Sequence, residues 1–461
     1  MSSLSKDGKQ GVTAAIVSLG CAKNQVDSEH LAARLREAGY DLTSEAEQAA
    51  LIVVNTCGFL QSAVEESIQV ILELSQFKET GTCRKLVVAG CMVQRYGNKL
   101  PELLPEVDFF IGTSHFGDLV PILAGEAEPD SATEPPGAVH IGPARHTSDC
   151  HTPRLRSTPF HTAYLKIAEG CGNRCAYCMI PALRGPLRSR PVDDVLAEAR
   201  AMAAEGVVEI SLIAQDTTAY GLDRKDPEAL VRLLRGLETI DGLQWVRLLY
   251  AHPSRISGAL LETMAESAKI VPYLDIPIQH SVPRLLQAMN RGLPDDVPDL
   301  KTVLSRIRKP IPQIALRTSV MVGFPGETDD DFQDLLDFLD EARFDHLGAF
   351  AFSPEPGTRA AGMKGQIPEE LREERKNRVM ELQRAISHEK LEAWIGRTVP
   401  VLVEGEHPET ELLLAGRTAA QAPEVDGLVM ITSGEAEQGR IVPARITAAH
   451  DYDLEAELTG D

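Results

Sequence analysis

The densest run of reactive side chains in the chain is Glu169-Gly170-Cys171-Gly172-Asn173-Arg174-Cys175-Ala176-Tyr177-Cys178. Three thiols stand there with three and then two residues between them. A zinc site prefers a fourth Cys or His at short spacing, and the nearest following histidine is His252. A disulfide framework wants an even number of thiols. Three thiolates suit a cubane iron–sulfur cluster that keeps one iron open to another ligand. A second set of thiols is dispersed. Cys21, Cys57 and Cys91 each follow an apolar run, respectively Ala14–Leu19, Leu51–Asn55 and Lys85–Ala89.

Those runs are short strands separated by helical stretches, Ser28–Ala38 and Ser62–Leu74, and the alternation argues for a parallel sheet. In such sheets ligands gather at the carboxyl ends of the strands. The three dispersed cysteines are therefore predicted to meet at one edge. From residue 161 the alternation resumes. Strands are expected at Ala163–Ile167, Val207–Ile213, Trp245–Tyr250, Tyr273–Ile276, Ala315–Val322 and Leu347–Phe352. Helices fall between them, and six β/α units suit an incomplete (β/α)6 barrel. The cysteine loop follows the first of these strands, where loop chemistry belongs. Other strand-end loops bring Gln215 and Asp216, then Asp275, Gln279 and His280, then the tight turn Gly323–Thr328. The charged stretch Pro368–Lys390 reads as a helix with a solvated face. Beyond it, short β-type runs separated by turn residues predict a small antiparallel barrel.

The expected architecture is thus α/β and multidomain. An N-terminal parallel α/β domain covers 11–121, a Pro/Gly/Ser-rich linker 122–160, a barrel core 161–388, and a β-barrel module 389–461. The linker holds His140, His146, His151 and Cys150 without regular ligand spacing, and no metal site is assigned to it. Cys83 and Cys150 read as ordinary thiols.

The chain has 461 residues and a net charge of −22. The N-terminus, MSSLSKDGKQG, lacks an apolar secretory core, and no run is long enough to span a membrane. A cytoplasmic location is expected, with no membrane partner. Strong acidity disfavours nucleic-acid backbones as partners. From residue 391 on, the last module carries four arginines, no lysine and more than three acidic residues for each arginine.

The motif Cys171-x3-Cys175-x2-Cys178, with Tyr177 before the third cysteine, resembles the signature of radical S-adenosylmethionine enzymes. The stretches SLGCAKNQVDSEH, VVNTCGFLQSAVEES and VVAGCMVQRY resemble the N-terminal domain of the methylthiotransferase family within that group. The stretch GRTAAQAPEVDGLVMI and the Lys-Asn pair after Cys21 resemble its RimO branch, and the last module resembles a TRAM domain. The resemblance covers nearly the whole chain in the same order.

It implies two 4Fe–4S clusters, one on Cys171, Cys175 and Cys178 and one on Cys21, Cys57 and Cys91. It implies S-adenosylmethionine bound at a rim that includes Tyr177, Gln215, Asp216 and Gly323. The implied reaction is methylthiolation of an aspartate β-carbon on small-subunit ribosomal protein twelve, met free or on the ribosome. An electron donor such as flavodoxin or ferredoxin is implied as well. An acidic module agrees in sign with a basic protein substrate and not with direct RNA binding. The alternatives are a tRNA adenosine methylthiotransferase, a non-catalytic iron–sulfur electron carrier and a zinc-dependent binding module.

Overall fold

The computed structural model describes residues 11–125, 137–145, 147–295 and 297–459. The chain divides into two compact units. One takes in the described residues up to Ser157, with Ala168–Asn173 and Cys178–Arg188. The other takes in Thr158–Ile167, Arg174–Tyr177 and the described residues from Ser189 on. The division therefore passes through the cysteine loop rather than at residue 160.

The first unit is built on a six-stranded, all-parallel sheet. Its strands are β1 (Val12–Ser18), β2 (Tyr40–Leu42), β3 (Leu51–Thr56), β4 (Lys85–Gly90), β5 (Phe109–Gly112) and β6 (Ala138–His140), in the order β2-β1-β3-β4-β5-β6. The central runs are buried, save Lys85 at the start of β4, as a sheet covered on both faces requires. Val53 and Val54 point to opposite faces and join separate apolar clusters, each contributing about 1.5–3 kcal/mol. The helix Ala22–Glu37 covers one face through Leu31 and Leu35, and Arg34 and Arg36 in its last turn suit its dipole.

The segment expected to be a linker carries structure in its described part. The helix Leu119–Ala124 runs into it, and β6 extends the sheet. Further on, Arg154 pairs with Glu29 at 2.6 Å, and the Ser157 N–H donates to Glu29 at 2.8 Å. A three-residue edge strand needs no apolar run, so pattern alone did not reveal it. His140 lies in β6, and His146 lies outside the described residues.

The short strands β8 (Ala168–Glu169) and β9 (Arg188–Ser189) flank the cysteine loop region. The second unit contains an open, parallel, six-stranded sheet, order β14-β13-β12-β11-β10-β7. Its members are β7 (Thr162–Lys166), β10 (Glu209–Ile213), β11 (Trp245–Leu248), β12 (Ile270–Asp275), β13 (Ala315–Val322) and β14 (His346–Ala351). The helix Glu369–Glu392 packs against this sheet. Its charge run is not wholly solvated, because Arg375 is buried and pairs with Glu327 at 2.7 Å.

A closed barrel of five strands ends the chain: β15 (Thr398–His407), β16 (Thr410–Thr418), β17 (Val429–Ser433), β18 (Ile441–Ala449) and β19 (Leu454–Leu458). Four pairings are antiparallel, while β17 and β19 run parallel.

The segment from Arg417 to Asp426 closes the amino-terminal end of the second unit's six-stranded sheet. Arg417 meets Glu209 at 2.6 Å, and Arg247 donates to the Ala419 carbonyl at 2.8 Å. Tyr273 donates to Asp426 at 2.7 Å, and Arg317 bonds the same carboxylate at 2.5 Å. The stretch that carries the branch resemblance is thus a plug.

Candidate functional site: two cysteine triads

Cys21, Cys57 and Cys91 follow the carboxyl ends of β1, β3 and β4, which are neighbours in the sheet. Cys21 starts the helix Ala22–Glu37 from an extended backbone, and Cys91 opens the helix Cys91–Tyr96. Gly20 has φ +96°, and a Cβ there would lie 2.9 Å from the Cys57 Cβ. Only glycine lets these two turns approach so closely. Asn24 ties the same turns together, donating to the Leu19 and Thr56 carbonyls at 2.9 and 3.0 Å.

The three thiols sense one another electrostatically. Burial pushes the Cys91 thiol up to about 12, Arg184 opposes this, and the Cys21 and Cys57 charges add to it. Burial also raises the Cys57 thiol. The surrounding chain works to raise the Cys21 thiol, but Lys23 and Arg184 outweigh it and hold it below the usual thiol range. Among the described residues no group of acidic, His or Cys side chains is gathered tightly enough to hold a metal ion. A cubane spreads its thiolate ligands wider than one ion does. The donor set, thiols only and at three adjacent strand ends, fits a cluster.

The same unit holds the outer parts of the cysteine loop. The Cys171 N–H bonds the Gly185 carbonyl at 3.1 Å. The Cys171 sulfur accepts from the Asn173 N–H at 3.4 Å, and the Cys178 sulfur accepts from the Ile180 N–H at 3.4 Å. Backbone donors aimed at sulfur favour the thiolate form that iron needs. Six residues after Cys178, Arg184 donates from Nε to the Cys91 sulfur at 3.2 Å. Its Nη1 meets Asp27 at 2.5 Å and Glu169 at 3.4 Å, and Nη2 bonds Asn24. Asn24, Asp27 and Glu169 lie in stretches that the sequence singled out, but no motif pointed to Arg184, whose contacts span up to 160 residues of sequence.

In the second unit, Cys175 and Tyr177 lie beside Arg291. That guanidinium approaches the Cys175 sulfur at 3.7 Å and bonds the Pro277 carbonyl at 2.6 Å. Burial works to lower the Arg291 pKa, but Tyr177 and Cys175 outweigh it and hold it above the usual range. Gln215 and Asp216 follow β10, as expected. Asp216 is heavily engaged. It accepts from Arg255 at 2.6 Å and caps the turn Thr217–Ala219 through the Ala219 N–H at 3.2 Å. Asp275 ends β12 and accepts from the Tyr250 N–H at 3.0 Å, supporting that residue at φ +60°.

His280 is a buried turn residue, its Nδ1 accepting from Ser281 and Val282 at 3.0 and 3.1 Å. Gly323 has φ +72°, and a Cβ there would sit 2.1 Å from Arg372 Cγ. Its N–H donates to Glu327 at 2.8 Å. Packing against the helix Glu369–Glu392 therefore already requires glycine there.

Comparison with known proteins matches the chain in three places. Residues 13–112 match the Uncharacterized protein family UPF0004, 165–339 the Radical SAM superfamily, and 395–459 the TRAM domain. A ribosomal protein uS12 methylthiotransferase RimO from Syntrophobacter fumaroxidans is 55% identical, covering 97% of this chain and 98% of that protein. Its namesake from Anaeromyxobacter sp. (strain K) is 52% identical over 95% and 91% of the two chains. The one from Geobacter sulfurreducens is 47% identical over 96% and 98%. Among solved structures, the radical S-adenosylmethionine methyltransferase TsrM from Kitasatospora setae shares the fold. The TM-score is 0.53 at 16% identity, over 74% of this chain and 73% of that one. Two cysteine triads, the sheet architecture and near full-length similarity agree, and the chain belongs to the RimO family of radical S-adenosylmethionine methylthiotransferases.

Proposed function

We propose that this protein adds a methylthio group to the β-carbon of an aspartate on ribosomal protein uS12, in the cytoplasm. Cys171, Cys175 and Cys178 would hold one 4Fe–4S cluster and Cys21, Cys57 and Cys91 a second. The observation that carries this reading is the arrival of Cys21, Cys57 and Cys91 at three adjacent strand ends, because an enzyme that only cleaved S-adenosylmethionine would need one triad. When bound, the clusters and S-adenosylmethionine supply one-electron chemistry and the sulfur.

The residues of the chain orient and shield. Arg291 sets a cation beside Cys175, and Asp216 with Arg255 stiffens the rim after β10. Gln215, Asp216, Asp275 and Tyr177 are the proposed surroundings of S-adenosylmethionine. Gly323 is better read as a packing position that shapes its turn. The acidic C-terminal barrel supports a lysine- and arginine-rich protein as partner, since complementary charge speeds encounter and selects partners. A small electron-transfer protein, flavodoxin or ferredoxin, would supply the electrons.

The test is mass spectrometry of uS12 and of tRNA nucleosides from cells with and without the gene, rescued with the native chain or with Cys57→Ala. The reading expects a methylthio mass on uS12 only with the native chain and unchanged tRNA nucleosides. Unmodified uS12 in cells carrying the native chain would overturn it. A methylthio adenosine that disappears with the gene would favour the tRNA reaction instead.

A further inference from the structure

Arg184 is 3% exposed, and all three of its guanidinium nitrogens have assigned partners. Nη1 takes the two carboxylates, Nη2 takes Asn24, and Nε is left to point at the Cys91 sulfur at 3.2 Å. The partners come from three places. Asp27 lies on the helix that Cys21 begins, Glu169 precedes Cys171 by two residues, and Cys91 opens its own helix. Other buried arginines of the chain, Arg417 and Arg190, also hold two carboxylates, but their bonds go to oxygen. Here two carboxylates grip one nitrogen and fix the plane of the group, so that the remaining N–H is aimed at sulfur. A thiol is a weak acceptor, whereas an iron-bound thiolate is a strong one.

We infer that Arg184 is a positioning residue for the cluster on Cys21, Cys57 and Cys91: its Nε–H donates to the Cys91 thiolate and raises that cluster's reduction potential. Hydrogen bonds to cluster sulfurs and nearby net charge set such potentials, and a buried cation favours the reduced, more negative state. The inference rests on the two-cluster reading above.

The experiment uses the full chain with Cys171, Cys175 and Cys178 changed to alanine, so that only the Cys21–Cys57–Cys91 cluster assembles. Iron content and the EPR-monitored midpoint potential are measured for this parent, then with Arg184→Gln, Arg184→Lys and Asp27→Asn added. Arg154→Gln, which breaks the buried pair with Glu29, is the control for general damage. The expected result is four irons per chain in the parent and a clear shift to more negative potential with Arg184→Gln. A smaller shift in the same direction is expected with Arg184→Lys and none with Arg154→Gln, while Asp27→Asn, which removes a negative charge beside the same guanidinium, should move the potential the opposite way. An unmoved potential in iron-replete Arg184 variants would overturn the inference, as would an equal shift in the control. Should Arg184→Gln fail to fold or hold iron, Arg184→Lys decides by the same criterion. A parent without iron would refute the two-cluster reading itself, and this inference with it.

Discussion

Arg417 in the small barrel and Glu209 at the start of β10 meet at 2.6 Å, with side chains only 3% and 1% exposed. Arg247 completes the group, 3.0 Å from the same carboxylate. Removing one member of a buried ion pair leaves a charge without its partner. Arg417→Ala should cost about 3–5 kcal/mol, toward the lower end because Arg247 remains. Denaturant unfolding of the apo protein measures this. Adding Glu209→Gln should deepen the loss, because it takes the remaining carboxylate from the buried Arg247.

The same region sets an acid limit. Burial lowers the His161 pKa below its ordinary value of 6.5, so the folded chain binds fewer protons there than the unfolded one. Its contribution is complete above pH 6.5 and is lost as pH falls further. Glu209 adds a second loss. Burial opposes its ionisation, but Arg417 and Arg247 outweigh that and hold it below the ordinary 4.5, so stability falls again as pH drops from 4.5. Melting temperature against pH should therefore decline in two stages. His161→Leu should flatten the upper stage and leave the lower one.

Gly20→Ala forces a side chain into a left-handed backbone, 2.9 Å from the Cys57 Cβ. The variant should keep its far-ultraviolet dichroism and lose the iron held by Cys21, Cys57 and Cys91, while that of the loop triad remains. Iron analysis after anaerobic reconstitution reads the difference.

Arg291→Gln removes the cation beside Cys175. Residues that support metal ligands typically contribute about 10- to 100-fold in metal affinity or activity. The formation of 5′-deoxyadenosine should fall by a factor in that range. The spectrum of the Cys21–Cys57–Cys91 cluster should not change.

The strands that end on cysteines were legible because a buried parallel strand is a short apolar run with a break after it. β1, β3 and β4 fall within two residues of where the pattern puts them. β6 was not legible, since three residues at a sheet edge carry no period. The parallel pairing of β17 with β19 was also hidden, because strand patterning gives no direction. The cysteines themselves could be read from spacing and position. The arginines beside them could not, since Arg184 and Arg291 look like any other charged residue until folding brings them to sulfur. Gly323 was expected for ligand approach; its left-handed backbone and the nearness of Arg372 call for glycine there in any case.

The plug at Arg417–Asp426 has a consequence for how freely parts of this protein can be exchanged. Its partners Glu209, Arg247, Tyr273 and Arg317 all belong to the six-stranded sheet of the second unit. A chimera that borrows only the terminal barrel from a relative would strand two arginines and a glutamate in a dry crevice. Grafting must move lock and keyhole together, so the terminal barrel can be exchanged only jointly with the strands it plugs.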